Sequence, residues 1–332
     1  MRDIRRNRII LLGLAWLVLL PGTAAAAQAP AASADDGQAV VWSVDAKVKR
    51  LFDSYTSYEF GNPDPPYQEP LSRLEFALDS WWAGVEITRW TPRWSVGLQI
   101  MRNLTDKVDG VMADSDWLDP DHTKVRTVYS ESDVRLKPCY DVRAWADVSL
   151  APWLPLPAGL DLRPVGGLRW QRLDMIAFNL RQWEILPSDY VYFYGYPGDS
   201  IRFRQIYWQW FIGLKLDWRP LPTDYPGLRL SLQGDWAYVR GENKDQHLLR
   251  EGNRITEEST SGQAWRAALG LEVPLGHNFS LELEAEYLTI DTTGSHHFTN
   301  NVDPYTVDET WDNGVRVWSQ QCSVMLALRY SF

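Results

Sequence analysis

Long apolar runs are missing from this chain of 332 residues once its first segment is passed. Beyond Leu20 nothing approaches the roughly 18 consecutive apolar residues of a membrane-crossing helix, so a helical membrane protein is excluded. Cysteine is nearly absent, with only Cys139 and Cys322. An exported chain is permitted a disulfide, but the two thiols differ in register. Cys322 shares the apolar face of Val324 and Leu326, and Cys139 the polar face of Asp141, Arg143 and Asp147. Both are therefore read as free. There is no glycine-rich phosphate loop, no Walker motif and no zinc-protease helix. Nor is there a repeat of about 20–50 residues that would mark a solenoid or propeller. Excess positive charge is lacking too, since the net charge is −10. Arg2, Arg5, Arg6 and Arg8 against Asp3 make the first segment cationic, leaving the remainder near −13. So acidic a body disfavours nucleic acid and anionic surfaces as partners and weakly favours cationic substrates.

What is present begins with an address. Four arginines precede the apolar stretch Ile9–Leu20, and Thr23-Ala24-Ala25-Ala26-Ala27 offers small-residue cleavage sites. This is the pattern of a secretory signal peptide over 1–27. The rest, 28–332, is expected to form one domain. Mean hydropathy is negative, yet the chain carries 18 Trp, and apolar residues alternate with polar ones along most of its length. The last residues show it plainly. Leu326, Leu328, Tyr330 and Phe332 fall on one parity, while Ser323, Arg329 and Ser331 fall on the other. The same period of two runs through Leu228–Tyr238, where Arg229, Ser231, Gln233 and Asp235 interleave with the apolar residues, through Phe279–Tyr287 and through Tyr140–Val148. A soluble β-sandwich would present its apolar face to a second sheet. Here the alternate face is rich in charge, as in the polar lumen of a transmembrane barrel.

Turn chemistry sets the strand number. Tight connections fall at Trp90-Thr91-Pro92, at Pro152–Gly159, at Pro220–Gly227 and at Pro274–Asn278, with long polar loops expected at 107–128, 184–199, 241–260 and 291–313. Ten strands result, over 40–60, 70–90, 94–106, 129–150, 159–183, 200–219, 227–241, 260–274, 279–291 and 314–332. Several exceed the ~10 residues that cross a bilayer. The fold expected is all-β, a ten-stranded antiparallel transmembrane β-barrel elongated on the extracellular side. Trp81, Trp82, Trp90, Trp94, Trp153, Trp208, Trp210, Trp218 and Trp236 are candidates for its two aromatic girdles.

Two clusters could carry chemistry. One runs Asp114-Ser115-Asp116-Trp117 and on to Asp119 and Asp121; the other is Asp245-Gln246-His247. Residues at i and i+2 project from one face if the strands extend that far. An Asp beside a His can fix the imidazole tautomer and raise its basicity. Two facing carboxylates can hold a water and force one of them to keep a proton. Taken alone, the first cluster could be a surface calcium loop, and a doublet like the second is more often solvated decoration. Ser132, within Glu131-Ser132-Asp133, lacks a nucleophile elbow. His296-His297 lacks the spacing of a metal site.

Taken together and in this topology, the clusters resemble the omptin family of outer-membrane endoproteases. That family carries Asp-x-Asp-Trp in its second long loop region and Asp-x-His in its fourth. Gly252-Asn253-Arg254-Ile255-Thr256 also resembles a Gly-Lys-Arg-Ile-Thr stretch of the family. The resemblance implies a peptide hydrolase in the cell outer membrane, with its active site on the extracellular side. Asp245 and His247 would activate a water, and Asp114 and Asp116 would position it and stabilise the oxyanion. It also implies cleavage next to basic residues, a monomer, contact with outer-membrane lipid and lipopolysaccharide as activator. No metal or other cofactor is implied. The chain departs from the pattern at Asn243, where the family has an acid lining the substrate pocket; Glu242 or Glu59 could substitute. It departs again at Trp170-Gln171-Arg172-Leu173-Asp174, which does not keep the family's Tyr-x-Glu-x-Arg lipid pattern, leaving Arg202 and Arg204 for phosphate contact. The rival expectation is a non-catalytic outer-membrane barrel acting as a narrow pore, adhesin or structural protein.

Overall fold

The computed structural model describes residues 40–62, 68–185, 191–220, 227–302 and 304–332; the leader read over 1–27 lies outside them. The described residues form one antiparallel sheet of thirteen strand segments. These are β1 (Val41–Asn62), β2 (Gln68–Ala77), β3 (Trp81–Trp90), β4 (Trp94–Asn103), β5 (Lys107–Asp116), β6 (Val128–Leu136), β7 (Tyr140–Val148), β8 (Leu160–Ile185), β9 (Val191–Trp218), β10 (Arg229–His247), β11 (Ile255–Gly276), β12 (Phe279–Val302) and β13 (Tyr305–Ser331). β2 with β3, β4 with β5, and β6 with β7 each make one long stave, so the ring has ten. It closes where β13 pairs β1, from Ser43 opposite Ser331 to Phe60 opposite Val315. Closure leaves no unpaired edge.

The staves are longer than expected at one rim. The segments 107–116, 241–247, 255–260 and 291–302, read above as loop, are strand. Their polar composition hid them, because above the apolar belt the outer face also meets water and alternation fades.

Below that rim the alternation has the meaning expected. Val44, Val48, Ile87, Leu98, Ile212, Leu214, Leu232, Leu269, Leu326 and Leu328 are exposed and form an outward apolar belt. Trp81, Trp153, Trp208, Trp210, Trp218 and Trp236 are likewise exposed. Two girdle candidates are corrected. Trp82 is 3% exposed and its indole donates to Ser80 Oγ at 3.0 Å. Trp90 is ringed by Lys215, Arg229 and Arg329, all within 6 Å of its ring centre, and faces the lumen.

Ion pairs fill that lumen. Lys47 meets Glu86 at 2.6 Å and Lys49 meets Asp141 at 3.0 Å. Arg266 joins Asp235, Glu284 and Glu286. Arg329 grips Asp45 through two nitrogens and reaches Glu272 and Glu282 at 2.8 Å each. The cavity left among them is about 50 Å³, room for little beyond a few waters.

Between this layer and the upper rim lies an apolar one, with Leu74, Phe76, Met101, Met112, Met175, Phe203, Tyr207, Leu288 and Ile290 at 3% exposure or less. Inward parity changes as the staves enter it. In β1 it passes from odd (Asp45, Lys47, Lys49, Leu51) to even (Ser54, Thr56, Tyr58), across a bulge at Phe52/Tyr55 where Asp53 has φ of 49°. From β4 to β5 it passes from Ser95, Gln99 and Met101 to Val108 and Met112. A one-residue slip sends every later side chain to the other face. Without the break at 104–106, Asp114 and Asp116 would point outward. Gly110, at φ of 136°, completes the bend, and a Cβ there would lie 2.6 Å from the Ala77 Cβ.

Candidate active site

Asp114 and Asp116 follow Met112 up the inward face of β5, with Leu74 and Ser72 of β2 opposite them. Asp245 and His247 follow Asn243 up the inward face of β10, flanked by Phe203 and Ile201 of β9. The two strands stand four steps apart round the ring. Their carboxylates and imidazole nevertheless feel one another: the charges of His247 and Asp245 act on Asp114, and that of His247 on Asp116. All four residues singled out in the sequence are thus brought to one place, directly above the apolar layer.

That layer sets the electrostatics. Burial comes first in raising Asp114, followed by the neighbouring charge of Asp116, and together they push it up to about 8. Asp114 Oδ1 is buried without a hydrogen-bond partner. Asp116 is raised as well, by burial, against the opposing pull of Ser72, Arg254 and His247. His247 Nε2 lies 2.9 Å from Asp245 Oδ2. Burial disfavours the imidazolium, but the charge of Asp245, helped by Asp114, outweighs it and leaves His247 raised. At neutral pH the site therefore pairs a carboxyl that keeps its proton with an imidazole made basic by an adjacent carboxylate.

The turn after β10 is held by its backbone. His247 N donates to Arg254 O at 3.0 Å and Leu248 N to Ser200 O at 2.8 Å. Gly252, at φ of 79°, allows the reversal; a Cβ there would come within 2.4 Å of Asn300 Oδ1.

The two substrate-contact candidates divide. Asn243 is buried and inward, and neither its Oδ1 nor its Nδ2 has a partner. Glu242 is on the opposite face of β10, exposed with Lys244, and so does not line the groove. Its proposed substitute Glu59 is paired with Arg73. An acid that register alone reveals stands in the place expected of them. Glu258 of β11 is the direct cross-strand partner of Asn243 and is 3% exposed. His296 Nδ1 lies 3.1 Å from Glu258 Oε1 and 3.2 Å from the Tyr58 hydroxyl. Burial raises Glu258, with His296 pulling the other way. Tyr58 and Glu258 gave no sequence signal, and His296 stood out only as half of a histidine doublet, because the bulge in β1 and the registers of β11 with β10 and β12 are what align them.

The remaining candidates lie elsewhere. Asp119 caps a turn, accepting from Asp121 N at 2.9 Å and meeting His122 Nδ1 at 3.0 Å, and so parts from Asp114 and Asp116. Ser132 Oγ is buried 3.4 Å from Ser200 Oγ. His297 points outward to Asp308 at 2.8 Å, away from His296. No group of three or more metal-ligating side chains forms among the described residues. Cys139 and Cys322 are free thiols.

A closed ten-stave barrel with an outward apolar belt, a filled lumen and an acid–imidazole groove at its extended rim defines a barrel of the outer-membrane type. The family model described as the Omptin family matches residues 70–332, and the chain belongs to that family. Among solved structures, the outer membrane protease OmpT from Escherichia coli superposes with a TM-score of 0.76 at 15% identity, over 88% of this chain and 97% of that one. The outer membrane protein OprG from Pseudomonas aeruginosa gives a TM-score of 0.36 at 12% identity, over 89% and 97% of the two chains. No curated protein matches by sequence. The ten-stranded transmembrane barrel and its place in the outer membrane are those of the family.

Proposed function

We propose that the chain is an endopeptidase that hydrolyses peptide bonds with a water activated by Asp245 and His247, opposite Asp114 and Asp116. The observation that carries this is the meeting of the two pairs above the apolar layer, with a carboxyl held protonated to about pH 8 and an imidazole raised by its aspartate. His247 takes the proton of the water as its oxygen attacks the scissile carbonyl carbon. The protonated carboxyl of the Asp114–Asp116 pair donates to the oxygen that gains negative charge. His247 then returns its proton to the leaving amine. No covalent intermediate with the protein is required.

The groove faces outside the cell in this reading, and the protein acts as a monomer. A basic side chain suits its deep end, where Asn243 Oδ1 and Glu258 Oε2 are buried and unpartnered. Lipopolysaccharide would act as activator from the outer wall. There Arg204 and Arg172 converge on Asp174 at 3.2 and 3.0 Å, with Arg202 exposed nearby on the same strand as Arg204, an arrangement suited to phosphate. The alternative of a pore is disfavoured by the ion pairs that fill the lumen.

The test is cleavage of a diverse peptide library by refolded protein and by Asp245→Asn, with and without lipopolysaccharide. Cleavage by the wild type and its loss in the variant is the expected result. Well-folded wild type that cuts nothing in either condition refutes the reading.

A further inference from the structure

A second compartment opens beside Asp116 and reaches the ring of His296. Its volume is about 400 Å³, within the usual range of ligand sites. Apolar side chains make most of its wall, chiefly Phe60, Leu71, Phe298 and Trp311. Phe60 stacks on His296 with ring centres 5.0 Å apart, and Trp311 stacks on the same ring at 5.6 Å, so a flat, rigid aromatic surface faces the space. Arg250 and Arg254 complete the lining. Neither has a carboxylate within ion-pairing distance among the described residues, although most arginines here do. The Arg254 guanidinium lies 5.2 Å from the Phe298 ring centre, and its buried Nε lacks an acceptor.

Aromatic walls and two guanidinium groups facing the single carboxyl of Asp116 are a poor receptacle for lysine or arginine. They suit a large apolar ring accompanied by a carboxylate, since Arg pairs carboxylates through a planar fork. We infer that this compartment is a substrate subsite that takes an aromatic or large aliphatic side chain together with an adjacent acidic one. The two sides of the His296 ring then differ in sign: Glu258 and Asn243 favour a cation, while Arg250 and Arg254 favour an anion. The preferred peptide would be dipolar, with a basic residue on one side of the scissile bond and an aromatic–acidic pair on the other.

The inference rests on the endopeptidase reading for its cleavage arm, so binding is measured separately. In the His247→Ala protein, fluorescence anisotropy would give dissociation constants for labelled peptides that share one arginine. These peptides carry Phe-Glu, Phe-Lys, Ala-Glu or Ala-Lys after it. Phe-Glu should bind about tenfold more tightly than Ala-Lys, the scale on which apolar pockets discriminate. Trp311→Ala should abolish the preference for Phe and Trp311→Phe should retain it. Arg254→Glu should reverse the preference between Glu and Lys. Equal affinities, or a preference for Lys in the unsubstituted compartment, would overturn the subsite. If the binding preferences hold but wild type cleaves none of these peptides, the subsite stands and the endopeptidase reading falls. Cleavage indifferent to the pair would do the reverse.

Discussion

Asp114 offers the sharpest test of the chemistry, because its ionisation and that of His247 bound activity from opposite sides. Asp114 is pushed up to about 8 from an ordinary 3.8. At pH 7 the carboxyl therefore mostly holds its proton, whereas an ordinary aspartate would hold almost none. If that proton meets the developing oxyanion, kcat/KM must fall as pH rises through about 8. On the acid side His247 must be neutral to accept a proton, and its pKa is raised above 6.5. Activity must therefore fall as pH drops through that raised value, giving a bell. The two limbs belong to the coupled set rather than to single residues. Asp114→Asn keeps a donor at the same place but cannot ionise. Its activity should drop by about 10²–10⁴, the range for a lost proton-transferring group, while the alkaline limb near 8 disappears. The residual activity of Asp245→Asn should have its acid limb at lower pH, since the substitution removes the main charge holding His247 up. The assay is initial rates on a fluorogenic peptide from pH 5 to 10, at substrate concentrations well below KM. An alkaline limb unchanged in Asp114→Asn would refute the assignment of the shared proton.

Other outcomes follow from the same geometry. His247→Ala should lower turnover by about 10⁴ or more, the range for removal of a positioned base, while the barrel still folds; circular dichroism and peptide hydrolysis together check this. Asn243→Asp should raise the ratio of kcat/KM for arginine over glutamine at the cleavage site, by virtue of a second acid beside Glu258, and an unchanged cleavage profile would disprove that location. Glu242→Gln should leave the profile untouched, because Glu242 is on the outer face. Arg266→Met should destabilise the barrel by about 3–5 kcal/mol, since it removes the cation shared by buried Asp235 and half-buried Glu284 and Glu286, as measured by denaturant unfolding in detergent micelles.

The strand number, the alternation and both chemical doublets were legible in the sequence because each is local. A period of two needs only a window of ten residues, and Asp114–Asp116 or Asp245–His247 needs three. Three features escaped, each for its own reason. The extended rim was hidden where both faces are wet. Trp82 and Trp90 were assigned outward because their number suggested girdles, whereas parity with Glu86 and Thr88 sends them to the lumen. Glu258 reaches the groove through its pairing with Asn243, fifteen positions away in the chain, and no pattern of residue types announces that.

The layers of this barrel explain why the chemistry sits where it does. Carboxylates in the ion-paired lumen have guanidinium or ammonium partners at contact distance, and partners of that kind favour the ionised form. The groove carboxylates stand on the far side of the layer formed by Leu74, Phe76, Met112 and Phe203, out of reach of those cations. There burial acts without full compensation, and the result is a perturbed pair instead of a structural one. The change of inward parity at 104–106 is what carries β5 from one regime to the other. A single-residue deletion in that break should turn Asp114 and Asp116 outward and bring Ser115 in. The barrel could keep its lower ladder while losing every proton that the proposed mechanism uses, which separates the folding role of this sequence from its chemical one.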